Sequence, residues 1–228
     1  VPFAADFCGL HCQLQHYLQT RIPGSHLEAT GLPQVPEITL QLINRDYPRD
    51  GLTREQAEAL MDDPPYWGFC WASGQVLARW LLDNPDQVRG KTLVDFGAGS
   101  GVVAIAARLA GAARAIACDL DPRALLACRL NALGNGIHLE FSPSLDTLLD
   151  SDLGPDSLVA VADVFYDRAN LPLLATLLRK FPQLLVADSR LKGQPLQGMT
   201  AIGTFISHTV PDLDESQEFN RVTLYRRQ

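Results

Sequence analysis

The 228-residue chain is 46% hydrophobic and carries 26 Asp and Glu against 19 Lys and Arg, a net charge of −7 at neutral pH. That is enough apolar material for one α/β domain with an N-terminal addition. The acidic balance and lack of a long basic run argue against tight nucleic-acid binding, and no apolar run approaches the roughly 20 residues of a membrane span.

In chain order, residues 5–20 read as a helix, with Leu10, Leu14, Tyr17 and Leu18 at roughly helical spacing. Within it Cys8 and Cys12 lie one helical turn apart, but no second ligand pair follows at zinc spacing, so no metal is expected. The odd count of five cysteines points to reduced thiols, and Val1-Pro2-Phe3 lacks the basic region of a signal peptide. Residues 21–36 hold three prolines and two glycines and predict a loop or extended segment. Glu37 to Ile43 alternates as a half-buried strand, and Asn44 to Gly51 is turn-like. Thr53-Arg54-Glu55-Gln56 is a capping-box pattern opening a helix that stops near Asp62-Asp63-Pro64-Pro65. An aromatic cluster, Tyr66 to Trp71, follows, and its rings either pack in the core or wall a pocket. Ser73-Gly74 opens a helix that closes at Asp83-Asn84-Pro85.

Thr92 to Phe96 then reads as a buried strand carrying one acid, Asp95, and running into Gly97-Ala98-Gly99-Ser100-Gly101 and an Ala/Ile/Val-rich helix. Strand, glycine loop and helix form the nucleotide-binding turn of a doubly wound sheet. The pattern by itself admits a dinucleotide. A carboxylate ahead of the glycines would repel a pyrophosphate and attract the ammonium of S-adenosylmethionine (SAM), and Asp95 is read that way. Asp119 ends the next apolar run, Ala113 to Cys118, where an acid can accept ribose hydroxyls in either kind of site.

Strands and helices alternate from there. Asp121-Pro122 starts a helix through Leu133, Ile137 to Phe141 is a third strand, and residues 146–156 are a loop with one helical turn at most. Ser157 to Asp163 and Gln183 to Asp188 are strands ending in acids, with a helix at Ala169 to Lys180 between them. Thr200 to Thr209 and Phe219 to Arg226 predict an antiparallel pair at the sheet edge. Acids gathered at strand carboxyl ends line the ligand crevice of such a sheet.

The run Pro65 to Gln75, with Asp95-Phe96-Gly97-Ala98-Gly99-Ser100-Gly101, Asp119-Leu120-Asp121-Pro122 and Asp163-Val164-Phe165-Tyr166-Asp167, resembles seven-β-strand SAM-dependent protein lysine methyltransferases. The likeness is strongest to the group holding the electron transfer flavoprotein β-subunit lysine methyltransferase and its bacterial relatives, and covers about residues 37–190. It implies an α/β fold with a Rossmann-like seven-stranded sheet, a methyltransferase domain at 66–228 and a helix/strand extension at 1–65. It implies SAM as cofactor, its methionine part at Asp95, Gly97, Ala98 and Gly99, its ribose at Asp119 beside Leu120, and a wall from Trp67 or Trp71. Asp163 and Tyr166 fall at the acceptor lysine, Asp163 also touching the cofactor. The partner implied is a protein presenting a lysine, with no nucleic acid, membrane or metal, in the cytoplasm or, for a eukaryotic source, the mitochondrial matrix. A small-molecule N-methyltransferase and a non-catalytic SAM-binding protein are the alternatives. The chain departs from the group at Asp188-Ser189-Arg190, where the eukaryotic enzyme has a proline–glycine pair before the arginine.

Overall fold

In the computed structural model, which describes residues 2–48, 53–165, 168–191 and 196–228, the chain runs α1 (Pro2–Arg21), β1 (Leu27–Gly31), β2 (Thr39–Ile43), α2 (Arg54–Asp62), α3 (Ala72–Asp83), β3 (Thr92–Phe96), α4 (Val102–Leu109), β4 (Arg114–Cys118) and α5 (Pro122–Gly134). It continues through β5 (Glu140–Ser142), α6 (Leu145–Leu149), β6 (Leu158–Ala162), α7 (Leu171–Lys180), β7 (Gln183–Asp188), β8 (Met199–Ile206) and β9 (Arg221–Arg227). Seven strands make one sheet in the order β5-β4-β3-β6-β7-β9-β8. β5, β4, β3, β6 and β7 are parallel, and β9 inserts antiparallel between β7 and β8. The order reverses between β3 and β6, so their carboxyl ends open a crevice at the switch point of the sheet.

The inner parallel strands β3, β4, β6 and β7 are buried on both faces, which is why they read as unbroken apolar runs. Successive residues of β3 point to opposite faces: Leu93 joins the layer formed with α3 and α4, and Val94 the layer formed with α7 through Leu174 and Leu177. α4 is buried from Val102 to Ala107, its small side chains fitting it close to the sheet. A third cluster joins Leu14 and Leu18 of α1 to Trp67 and to Ala127 and Leu130 of α5. Burying each of those leucines contributes about 1.5–3 kcal/mol, so the N-terminal segment is fastened to the sheet's helical layer.

Several predicted bounds shift for local reasons. β1, inside the predicted loop or extended segment, pairs antiparallel with β2. It has one buried residue, Leu27, and so carries no apolar pattern. β5 begins later than Ile137 because the Ile137 amide still bonds back to Ala132 at the end of α5. α6 is the single helical turn expected near residue 146, begun one residue earlier because the Ser144 hydroxyl accepts from the Thr147 amide, and Leu148 is buried. β6 ends one residue before Asp163, whose φ of 49° takes it off the strand. The capping box at Thr53 and Gln56 forms as read, as does the antiparallel β8–β9 edge. Among the described residues no helix is long and apolar enough to cross a membrane.

Candidate functional site

At the switch point lies a cavity of about 300 Å³ whose walls include Gly97 and Gly99 from the loop after β3, Asp119 after β4, Asp163 after β6, and Trp67 and Trp71. The loop is shaped by three left-handed glycines, Gly97, Gly99 and Gly101, the last with φ 82°. Gly97 has φ 76°, and a Cβ there would come within 2.6 Å of Val164 Cγ2. Gly99 has φ 52°, and a Cβ there would meet no atom within 4 Å, so its backbone faces open space. A second cavity of about 370 Å³ shares Gly97, Asp119 and Val164 with the first and adds Phe96, Leu120 and Leu145. The two form one crevice divided at Asp119.

Asp119 holds the crevice together. One carboxylate oxygen accepts from the Gly99 amide at 2.9 Å and the other from the Asp121 amide at 2.9 Å. Burial pushes its carboxyl up, and the two amides oppose that. Asp121 caps α5 and accepts from Arg123 Nε at 2.7 Å. Arg123 also grips Asp63 with both terminal nitrogens at 2.6 Å and lies 4.3 Å over the Tyr17 ring. α1 and the end of α2 are thereby tied to the cavity wall.

Asp95 is not where the sequence reading puts it. Its side chain is 1% exposed, is absent from the cavity lining, and accepts from the Ala104 amide at 3.0 Å. The cause is the start of α4. Its N-cap is Gly101, which has no side chain to satisfy the helix's free amides, so a strand acid does it. Burial pushes this carboxyl up to about 8. In this structure the Asp95 carboxylate thus holds the start of α4 and does not line the cavity.

The remaining sites divide. Trp67 is buried in the third core cluster and also lines the cavity, its indole Nε1 finding no acceptor among the described residues. Trp71 donates from Nε1 to the Tyr66 carbonyl at 3.1 Å. Ala98 is 7% exposed and outside the cavity lining. Leu120 is 82% exposed and lies on the second cavity, not the first. Tyr166 and Asp167 lie outside the described residues.

The Ribosomal protein L11 methyltransferase (PrmA) family model matches residues 77–166. The electron transfer flavoprotein β-subunit lysine methyltransferase of Xenopus laevis is 42% identical over 156 residues, 68% of this chain and 61% of that one. The chain spans about half the length of the mammalian relatives it matches. The crystal structure of ribosomal protein L11 methylase from Lactobacillus delbrueckii subsp. bulgaricus superposes with a TM-score of 0.51 at 20% identity, covering 68% of this chain and 78% of that one. Magnesium protoporphyrin IX methyltransferase from Synechocystis superposes with a TM-score of 0.51 at 12% identity over 98% of this chain and 97% of that one. The chain carries the Rossmann-like methyltransferase fold.

Within that methyltransferase fold, the sequence reading gives no part to three residues around Asp163 and the cavity. Ser73 and Ser189 both hydrogen-bond Asp163. Arg190 lines the cavity, with its guanidinium 5.7 Å over Trp71 and 4.5 Å over Phe219 and ion-paired to Glu215. Ser73 reads only as a helix opener and Ser189 only as part of the departure from the family, because only the fold brings α3, β6 and β7 together. A strand-end acid followed directly by serine and arginine was the available signal.

Proposed function

We propose that the protein is a SAM-dependent methyltransferase that methylates a lysine side chain of a protein, with the electron transfer flavoprotein β subunit as the first candidate. One observation carries this reading: a single crevice joins an open glycine backbone and a loop-holding acid to an aromatic-walled end bearing Asp163. The residues fit the cofactor. Gly99 leaves room for close approach, and Asp119 has acceptor capacity beyond its two amides for ribose hydroxyls. Phe96, Leu120 and Leu145 suit the apolar face of a base. We take residues 66–228 as the methyltransferase domain and 1–65 as an extension packed on it.

SAM supplies an already activated methyl group, so the protein's task is to orient an in-line attack by a neutral nucleophile. A free lysine has a pKa of about 10.4, and removing its proton at pH 7 costs roughly 4–5 kcal/mol. Trp67, Trp71 and Tyr66 form an apolar channel that desolvates the ammonium and lowers that cost. Asp163 accepts a hydrogen bond from the amine, aligns it and passes its proton towards water.

Purified electron transfer flavoprotein from the same source, incubated with the protein and labelled SAM, is expected to gain label on β-subunit lysines by mass spectrometry. The Asp163→Asn variant is expected to bind SAM but lose at least about 100-fold in transfer. Absence of label with SAM bound would remove the proposed acceptor, and full activity of Asp163→Asn would remove the role of Asp163.

A further inference from the structure

Asp163 is gripped from two neighbouring elements. β6 stops at Ala162, and the Asp163 amide donates to the Ala187 carbonyl of β7 at 3.0 Å. With φ at 49° the residue leaves the strand plane in a conformation that aspartate tolerates better than most residues. Oδ1 then accepts three hydrogen bonds: from Ser73 Oγ at 2.7 Å, Ser189 Oγ at 2.9 Å and the Ser189 amide at 3.0 Å. Oδ2 accepts one longer bond, from the Ser73 amide at 3.3 Å.

Both serines are built in. Ser73 is wholly buried in the first turn of α3, whose N-cap, Trp71, provides no side-chain acceptor, so the carboxylate also caps that helix. Ser189 is 7% exposed. It is turned back towards β6 because Asp188 Oδ1 accepts from the Arg190 and Leu191 amides at 2.7 and 2.9 Å, folding the turn after β7. An oxygen with three donors is committed, and the oxygen with one long bond keeps capacity to accept.

We infer that Ser73 and Ser189 are positioning residues for methyl transfer: together they commit one oxygen of Asp163 to the protein, favour its ionised form and leave the other oxygen for the acceptor amine. The inference rests on the methyltransferase reading of Asp163 given above. Burial alone drives this carboxyl up, and the serine hydroxyls and amides pull it back. The other charges about the site are Asp188 at the end of β7, Arg190 paired with Glu215, and Asp119 and Asp121 across the cavity. The serine hydroxyls, at 2.7 and 2.9 Å from Oδ1, are the adjustable part of the grip.

The test uses the full chain with carboxyl-13C aspartate, saturated with S-adenosylhomocysteine, with the Asp163 signal assigned by its loss in Asp163→Asn. In Ser73→Ala/Ser189→Ala the Asp163 titration midpoint should rise by about one pH unit or more. The acid limb of the pH–rate profile for the flavoprotein should move with it, while S-adenosylhomocysteine affinity stays within about twofold. Ser189→Ala alone should give a smaller shift and Ser189→Thr, which keeps a hydroxyl, should restore the wild-type midpoint. A folded double variant with an unmoved midpoint overturns the inference, and the single variants decide it in the same way if the double does not fold. If the wild type methylates no flavoprotein, the functional reading fails while the titration still reports on the grip.

Discussion

Replacing Gly99 and Gly97 separately by alanine distinguishes a loop that faces a ligand from one that only turns. At Gly99 the added methyl would meet no protein atom within 4 Å. The cost to folding is then that of holding alanine at φ 52°, about 1–2 kcal/mol. For a chain of this size that lowers Tm by roughly 2–8 °C. The methyl would occupy space where the backbone borders the cavity, so SAM affinity should fall at least about tenfold, or about 1.4 kcal/mol. Gly97→Ala carries the same conformational cost at φ 76° and places Cβ 2.6 Å from Val164 Cγ2, which must shift. Overpacking of that kind adds about 1–3 kcal/mol, a total of roughly 2–5 kcal/mol and a Tm loss of about 4–20 °C. Val164 adjoins Asp163, so this variant should also transfer slowly at saturating SAM. Scanning calorimetry gives the stabilities and titration calorimetry the affinities. A Gly99→Ala protein that binds SAM with wild-type affinity would refute the placement of cofactor against this loop.

Two further outcomes follow from groups behind the cavity. Burial pushes the Asp95 carboxyl up to about 8 in the folded protein, against about 3.9 in the unfolded chain. Between those values the folded protein holds a proton that the unfolded chain has released, so its stability falls as pH rises from about 4 to 8. Asp95→Asn keeps an acceptor for the Ala104 amide without the charge, and without cofactor it should match wild type near pH 4 and exceed it by a few kcal/mol, on the order of the shift, near pH 8; parallel urea-stability profiles would sink this. Asp63→Ala removes the acceptor shared by Arg123, Arg21 and Tyr17. The carboxylate is partly exposed, so the direct stability loss should be about 1 kcal/mol. Because Arg123 also holds Asp121 on the cavity wall, SAM affinity by calorimetry should drop several-fold; an unchanged Kd would mean that the N-terminal segment does not support the site.

Much of the architecture was legible residue by residue. β3, the glycine loop and α4 were read from one stretch, because a strand buried on both faces must be apolar and a tight loop at its end must be glycine-rich. The β8–β9 edge was legible from β-rich composition. β1 was not, because a two-stranded flap with one buried side chain leaves no periodic trace. The acids at 119 and 163 were found as strand ends, and both line the crevice. Asp95, found by the same rule, turns inward, since strand position fixes which end a residue occupies but not which neighbouring amide its carboxylate will satisfy.

Local pattern therefore determined the order of strands and helices, the turn that opens the crevice and the residue types at its rim, because burial and backbone sterics act over a few residues at a time. Tertiary structure alone decided which acid caps a helix and which faces the cavity, and it alone brought Ser73, 90 residues away in the chain, and Ser189, 26 residues away, onto one oxygen of Asp163. Hydrogen bonds across that separation depend on the pairing of β6 with β7 and the docking of α3 over the sheet, and a linear sequence carries no marker for either.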